Sequence, residues 1–302
     1  MPIDTYIGGA EHACMHLIYY RFYTKFLRDI GLLDFDEPTK RLFNQGMIHG
    51  SDGFVMSKSR GNGVDPTEIA NKYGVDVLRF YLVSSASPDK DYSWNDKGIE
   101  GSLKFIKRII EYFNNVKIGK SNAKIESKLN KSIEKITNQI ENLKYNLAVI
   151  EIRGLFNSFP EEISKKTLEN FLKLLHPFCP HLTEELWERI GNKNFLILEK
   201  WPKVDKKKID ERLERQEQLI MRLIEDINHI AKLIKEKESK NAKKAFIYVL
   251  PNEKEIFNSE VDSIEKRTGF DIEIYSVSDK DKYDPENKSK KVKPGKPGIY
   301  LE

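Results

Sequence analysis

An apolar spacing of 4, 3, 4, 3, 4, 3 runs through Leu129, Ile133, Ile136, Ile140, Leu143, Leu147 and Ile150. That period lines all seven side chains along one stripe and predicts a single long amphipathic helix. Further helices are expected at Glu161 to Leu175 and Leu182 to Ile190, divided by Pro177 and Pro180, with Thr183 as a plausible cap. From Ile209 to Lys237, Leu219, Leu223, Ile227, Ile230 and Ile234 mark another helix. The segments up to Ile190 together predict a helical bundle. Beyond them, FIYVL (Phe246 to Leu250) and IEIYSV (Ile272 to Val277) read as strands around a short helix, the order of a small α/β tail domain.

The first hundred residues follow a different pattern. Ala13 to Leu33 predicts a helix with a mixed aromatic and aliphatic face, Leu42 to Ile48 a short strand, and Pro66 to Tyr73 a helix. Asp65 suits the cap of that last helix and Pro66 its first position. The run VDVLRFYLV, Val75 to Val83, fits a helix or a buried strand by periodicity, and a helix is the preferred reading. Gly8, Gly9, Gly46, Gly50, Gly53, Gly61 and Gly63 all fall in this stretch, which makes it rich in loops suited to chemistry.

Composition narrows the class. At 302 residues, 39% hydrophobic and 32% charged, the chain is long enough for one large domain or two to three small ones and is too apolar to be disordered. Lys plus Arg number 51 against 47 Asp plus Glu, a net charge of only +4, so attraction to nucleic acid depends on where the charge lies. Cys14 and Cys179 stand far apart without a metal-ligand pattern, which argues against a disulfide framework or a structural zinc and fits a reducing cytoplasm. No secretory leader or long apolar run is apparent, so neither export nor membrane spanning is expected. The stretch from Asn287 to Lys296 carries five lysines and no acid, and no regular structure is expected there before the closing GIYLE. Lys206 to Lys208 and similar clusters are individually weak signals, since a lysine-rich face is most often simply solvated.

The most informative string is Phe54-Val55-Met56-Ser57-Lys58-Ser59-Arg60-Gly61-Asn62-Gly63-Val64-Asp65-Pro66. Two cations and two hydroxyls lie within four residues between glycines, so backbone can approach a polyanion closely while Lys58 delivers a point charge. A phosphate is the natural target. A Ser/Lys/Gly loop of arbitrary sequence would more often be plain solvated surface. A second candidate is Gly8-Gly9-Ala10-Glu11-His12, with His16 one helical turn beyond His12. A His pair at that spacing also fits metal binding, and a buried His is often a satisfied core residue. Trp94 and Asn95 read as structural.

MSKSRGNGVDP resembles the KMSKS signature of class I aminoacyl-tRNA synthetases, and YIGGAEHACMHLIYYRF, Tyr6 to Phe22, is similar to a segment of the leucyl-tRNA synthetases. DVLRFYLVSSASPDKDYSWND, Asp76 to Asp96, and PHLTEELWERIG, Pro180 to Gly191, resemble that family's post-signature connection and helical anticodon-binding domain, so the likeness covers roughly residues 1 to 202. The resemblance implies an α/β followed by all-α fold: residues 1–97 as the second half of a Rossmann-like nucleotide fold, 98–202 as a helical anticodon-binding domain, and 203–302 as a long helix plus a small α/β tRNA-binding tail.

It also implies roles. Lys58 corresponds to the second lysine of the signature, which binds ATP phosphates during activation of the amino acid, with Mg2+ assisting there. Val55 replaces the first lysine. Ser57 and Ser59 would contribute hydroxyls to phosphate or to loop geometry, Met56 would join them in binding ATP or the adenylate, Gly8, Gly9, Glu11, His12 and His16 would bind the adenylate, and Met47 and Ile48 the adenine. No metal-ligating residue is implied.

The family's HIGH motif is absent, since Met47-Ile48-His49-Gly50 lacks the second histidine, and its editing domain is absent too. A second chain carrying both is therefore expected beside leucine, ATP and leucine tRNA, with the present chain inactive alone. The family's usual bacterial C-terminal string is not apparent after Trp201, and KPGKPGIYLE looks closer to archaeal-type leucyl enzymes, whose tail reads the long variable arm of the tRNA. The alternative is a synthetase-derived tRNA-binding or assembly protein without catalytic activity. Specificity for isoleucine, valine or methionine is the third option, against which GGAEH favours leucine.

Overall fold

The computed structural model describes residues 1–238 and 242–302 and divides them into two compact units, Met1–Ile209 and Asp210–Glu302. The first opens with β1 (Tyr6–Gly9), a 3-10 turn over Ala10–Cys14 and α1 (His16–Asp29). The expected helix from Ala13 is thus shortened at its start by that turn. β2 (Leu42–Gln45) pairs parallel with β1, Tyr6 opposite Leu42 and Gly9 opposite Gln45. The strand expected from Leu42 to Ile48 is interrupted at Gly46 and Met47 and resumes as β3 (Ile48–His49). Gly46 donates its N–H to Pro88 O at 2.8 Å and lies so close to the Lys90 backbone that a Cβ would overlap its carbonyl. Two helices follow, α2 (Pro66–Tyr73) and α3 (Val75–Ser85), and Asp65 caps the first by accepting the Thr67 N–H at 2.7 Å. β4 (Tyr92–Ser93) then pairs parallel with β3.

The helical part comprises α4 (Asp96–Asn115), β5 (Lys117–Ile118), α5 (Ala123–Glu141), α6 (Tyr145–Phe156), β6 (Glu162–Ile163), α7 (Lys165–Leu175) and α8 (Pro180–Arg189). One core joins them, from Val77 and Phe80 on α3 through Ile109, Ile136, Ile152 and Phe171 to Trp187 and Leu196. The single long helix expected over Leu129 to Ile150 is two helices. Leu143, at a φ of 59°, reverses the chain between α5 and α6, and a three-residue turn can leave a 4,3 spacing undisturbed. The rest of the stripe is accordingly misread: Leu147 and Ile150 are 40% and 62% exposed, while Ala148, Val149, Ile152, Leu155 and Phe156 fill the core.

α7 also begins later than expected, because Glu162–Ile163 pair with β5 and Ser164 caps the helix, its Oγ accepting from Thr167 N–H at 3.1 Å. Thr183 is not a cap. It lies inside α8, fully buried, donating to Cys179 O at 2.8 Å. One free N–H at the start of α8 is instead met from α3, where the buried Asp76 carboxylate accepts from Leu182 N–H at 2.6 Å.

His176 gives this bundle a pH dependence. It is buried, with Nδ1 2.7 Å from Thr183 Oγ1 and Nε2 unpartnered, and burial pushes its pKa below the ordinary value against the opposing pull of Glu184 and Asp76. The unfolded chain therefore takes up a proton at a higher pH than the folded one. Its contribution is complete above about pH 6.5 and is lost as pH falls from there through the depressed folded value. Urea unfolding is expected to show lower stability at pH 5.5 than at pH 7.5, with a smaller difference in His176→Asn.

In the second unit α9 (Glu211–Glu238) precedes a three-stranded sheet of β7 (Lys244–Val249), β8 (Asp271–Ser276) and β9 (Gly298–Leu301), in the order β8-β7-β9. β7 runs parallel to β8 and antiparallel to β9. Two short helices, α10 (Lys254–Asn258) and α11 (Val261–Thr268), make the crossover where one was expected. Ile220, Leu223, Ile224 and Ile227 of α9 pack with Ala245, Ile247, Val249, Phe257 and Ile264. The lysine-rich stretch contains a 3-10 turn over Lys288–Lys291 before GIYL adds the third strand. Among the described residues no helix is long and apolar enough to cross a membrane.

Candidate functional site

The nominated residues fall into two groups. In the first, β1 ends at Gly8 and Gly9 and the chain turns at once into the 3-10 segment that leads to α1. A Cβ on Gly9 would overlap the Glu11 carboxylate, which folds back over the strand end, and a Cβ on Gly8 would sit 3.4 Å from His12 Cδ2. Glu11 Oε1 lies 4.0 Å from His12 Nε2, while His12 Nδ1 is buried without a partner. His16 is held differently. Its Nδ1 is 2.7 Å from the Tyr6 hydroxyl, and its ring stacks on Tyr6 and Tyr20 with centroids 5.5 and 5.2 Å away. It therefore buttresses His12, whose ring meets its own edge-on at 6.2 Å. Among the described residues no group of three or more His, Cys, Asp or Glu side chains is gathered to hold a metal ion.

The second group is the loop after β3. Gly50 N–H donates to Phe54 O at 2.8 Å and Met56 N–H to Ile48 O at 3.0 Å, so the chain doubles back and docks Met56 on the strand. Met47 N–H donates to Asp91 Oδ1 at 2.7 Å, and His49 Nδ1 bonds Gly53 O at 2.9 Å. Met47, Ile48, Met56 and Ser57 are thereby brought together. A 3-10 turn over Lys58–Arg60 follows, closed by Gly61 at a φ of 65°, which returns the chain beneath Ser57. Ser57 and Ser59 hydroxyls are 3.3 Å apart, and the Arg60 guanidinium lies over the Phe54 ring at 4.4 Å. Lys58 is exposed at the tip of the turn, and no hydrogen bond or ion pair engages it among the described residues. An ammonium and two hydroxyls on a fastened turn can receive an anionic ligand without first breaking an internal ion pair.

Three residues of this site escaped the sequence reading. The Asn62 carboxamide ties the loop together, Asp52 answers it, and Asp91 holds Met47. Asn62 beside Gly61 is a recognisable turn pair, so its position carried a signal. Asp91, 44 residues from Met47 in the chain, carried none. Hydrogen bonds, first from Asn62 and then from the Phe54 N–H, hold the Asp52 carboxyl below the usual carboxylate range. A cavity of about 520 Å³ lies elsewhere in the unit, lined by Arg108, Tyr112, Asn115, Phe156 and Phe159 among others, and no nominated residue borders it. Of the Lys206 to Lys208 cluster, Lys208 is paired with Glu126 at 3.2 Å.

Residues 15–95 match the family described as "tRNA synthetases class I (I, L, M and V)", and residues 122–247 match "Anticodon-binding domain of tRNA ligase". The two matches define class I tRNA synthetase sequence followed by an anticodon-binding domain. The chain is 42% identical over 214 residues to a leucine–tRNA ligase of Mycoplasma mycoides, covering 69% of this chain and 27% of that protein. It is also 42% identical over 237 residues to one of Thermosipho melanesiensis, covering 70% and 29% respectively. Among solved structures, the ternary LeuRS-tRNA-LeuAMS complex of Agrobacterium radiobacter is similar with a TM-score of 0.61 and 30% identity, over 70% of this chain and 30% of that one. The chain belongs to the leucine–tRNA ligase family. It spans less than a third of the length of these relatives.

Proposed function

We propose that the chain supplies the KMSKS side of the ATP site and the tRNA-binding domains of a leucine–tRNA ligase. The observation that carries this reading is Lys58, without a partner among the described residues at the tip of a turn fastened to β3. When the leucine carboxylate attacks the α-phosphorus of ATP, the bond to pyrophosphate breaks and negative charge grows on the phosphoryl and leaving oxygens. A positioned ammonium stabilises that state more than bound ATP. Ser57 and Ser59 offer hydroxyls to the same phosphates, Met56, Met47 and Ile48 lie beside the adenine, and Gly8, Gly9, Glu11, His12 and His16 form the wall against the adenylate. Mg2+ enters with the ATP, because it is held chiefly by substrate phosphates and water rather than by a protein cage. The leucyl group then passes to the terminal ribose of leucine tRNA, gripped by the helical domain of residues 98–202 and the tail of residues 203–302.

The HIGH-motif half and the editing domain lie outside this sequence, and the reading places them against α1. The open apolar face of α1 supports this: Ile18, Tyr19, Phe22, Tyr23 and Phe26 are all exposed, and only Thr24 is buried. A face of that kind is a docking surface rather than ordinary solvent-facing helix. Mixing tests the reading. The isolated chain is expected to show no leucine-dependent ATP–pyrophosphate exchange and to gain it when combined with a HIGH-bearing half. Exchange by the isolated chain as fast as by the mixture would refute the divided site. Salt-sensitive tRNA binding with no activity beside any partner would mark a purely RNA-binding protein instead.

A further inference from the structure

We infer that Asn62 is a positioning residue, a latch that closes the Lys58 turn through one carboxamide, and that Asp52 is its keeper. Asn62 Oδ1 accepts the Ser57 N–H at 2.9 Å, immediately before Lys58. Its Nδ2 donates to both oxygens of Asp52, at 3.1 and 3.0 Å, and lies 3.3 and 3.4 Å from the carbonyls of Phe54 and Val55. Asp52 in turn accepts the Phe54 N–H at 3.1 Å. Both limbs of the loop are thus fastened to a single side chain at its base, with Lys58 and Ser59 left at the tip.

Two further observations fit a built latch. Gly61, in the left-handed region, turns the chain so that Asn62 returns beneath Ser57. Gly50 packs so tightly that a Cβ there would meet Asn62 O and Asp52 Oδ1 at 3.0 Å each. The chemistry demands an amide at position 62. Its oxygen must accept from backbone while its nitrogen donates to a carboxylate, and neither Asp nor Ala does both. An ammonium stabilises a transition state to the extent that it is held in place beforehand, so a loosened latch weakens Lys58 without altering its charge.

The role rests on the function proposed above for Lys58, and the test separates the two. Hydrogen exchange of the loop in the full chain reads the latch alone. Asn62→Asp sets two carboxylates against each other and removes the donor, so amide exchange at Ser57 is expected to rise roughly tenfold. The double variant D52N/N62D reverses donor and acceptor. Asn at 52 donates to Asp at 62, while the N–H groups of Phe54 and Ser57 keep their acceptors; the contacts to the Phe54 and Val55 carbonyls are lost, so exchange should fall part of the way back toward the parent. In the chain combined with its HIGH-bearing half, Asn62→Asp should lower kcat for pyrophosphate exchange with little change in KM for ATP, and the double variant should recover kcat in step with the regained protection. An unaltered exchange rate at Ser57 in Asn62→Asp, or a double variant as loose as the single, would overturn the latch. Restored protection without restored kcat would overturn its link to Lys58.

Discussion

Lys58→Ala is expected to slow leucine-dependent ATP–pyrophosphate exchange roughly 100- to 1000-fold in the combined enzyme, the loss typical of removing one preorganised group that faces developing charge. Several features make the effect large. The ammonium is exposed at the tip of a turn and answers to no internal carboxylate among the described residues, so all of its field is available to a ligand. The turn is docked through Met56 on Ile48 and closed by Asn62, so the charge is presented on a fixed frame. Val55 stands where the signature's first lysine would, leaving no neighbouring ammonium in that position to compensate. Arg60 is engaged over Phe54. Lys58→Arg should recover only part of the rate, because a planar guanidinium on a longer stem does not reproduce a compact point charge. Binding of leucine tRNA should be unchanged in Lys58→Ala, since the domains proposed to hold it lie outside the loop. Exchange at the parent rate would remove Lys58 from the chemistry.

The second large effect is expected on association. Phe22 and Phe26 stand one turn apart on α1 and are 63% and 48% exposed. The double substitution Phe22→Glu with Phe26→Glu should weaken binding to the HIGH-bearing half at least about a hundredfold, since burying two phenylalanines is worth about 3–6 kcal/mol and a carboxylate at such an interface adds desolvation cost. Titration calorimetry of the two halves measures it. Neither residue belongs to the core that begins at Val77, so thermal unfolding of the helical part should be nearly unaltered. Equal affinity of parent and variant would show that another surface receives the partner.

Much of the local structure was legible because it depends on neighbouring residues. Asp65 and Pro66 announce the start of α2 and the structure places the cap there. The glycine-flanked MSKSRGN string forms a turn with Lys58 at its tip. What the sequence concealed is non-local or conformational. A spacing pattern carries no sign of Leu143 entering the left-handed region, so α5 and α6 read as one helix and the inward face of α6 was misplaced. Thr183 looked like a cap, whereas Asp76, 106 residues away from Leu182, accepts that residue's N–H in the first turn of α8. The bonds of Asn62 to Asp52 and of Asp91 to Met47 likewise exist only once the loop has folded back on β3.

The central claim, that the Lys58 ammonium is delivered to the triphosphate, is tested most directly by a crystal structure of the combined halves with bound ATP. The expected result is Lys58 Nζ within about 3 Å of phosphate oxygens, with the Asn62 carboxamide still closed on Ser57. A side chain directed into solvent while ATP fills the site would contradict the account.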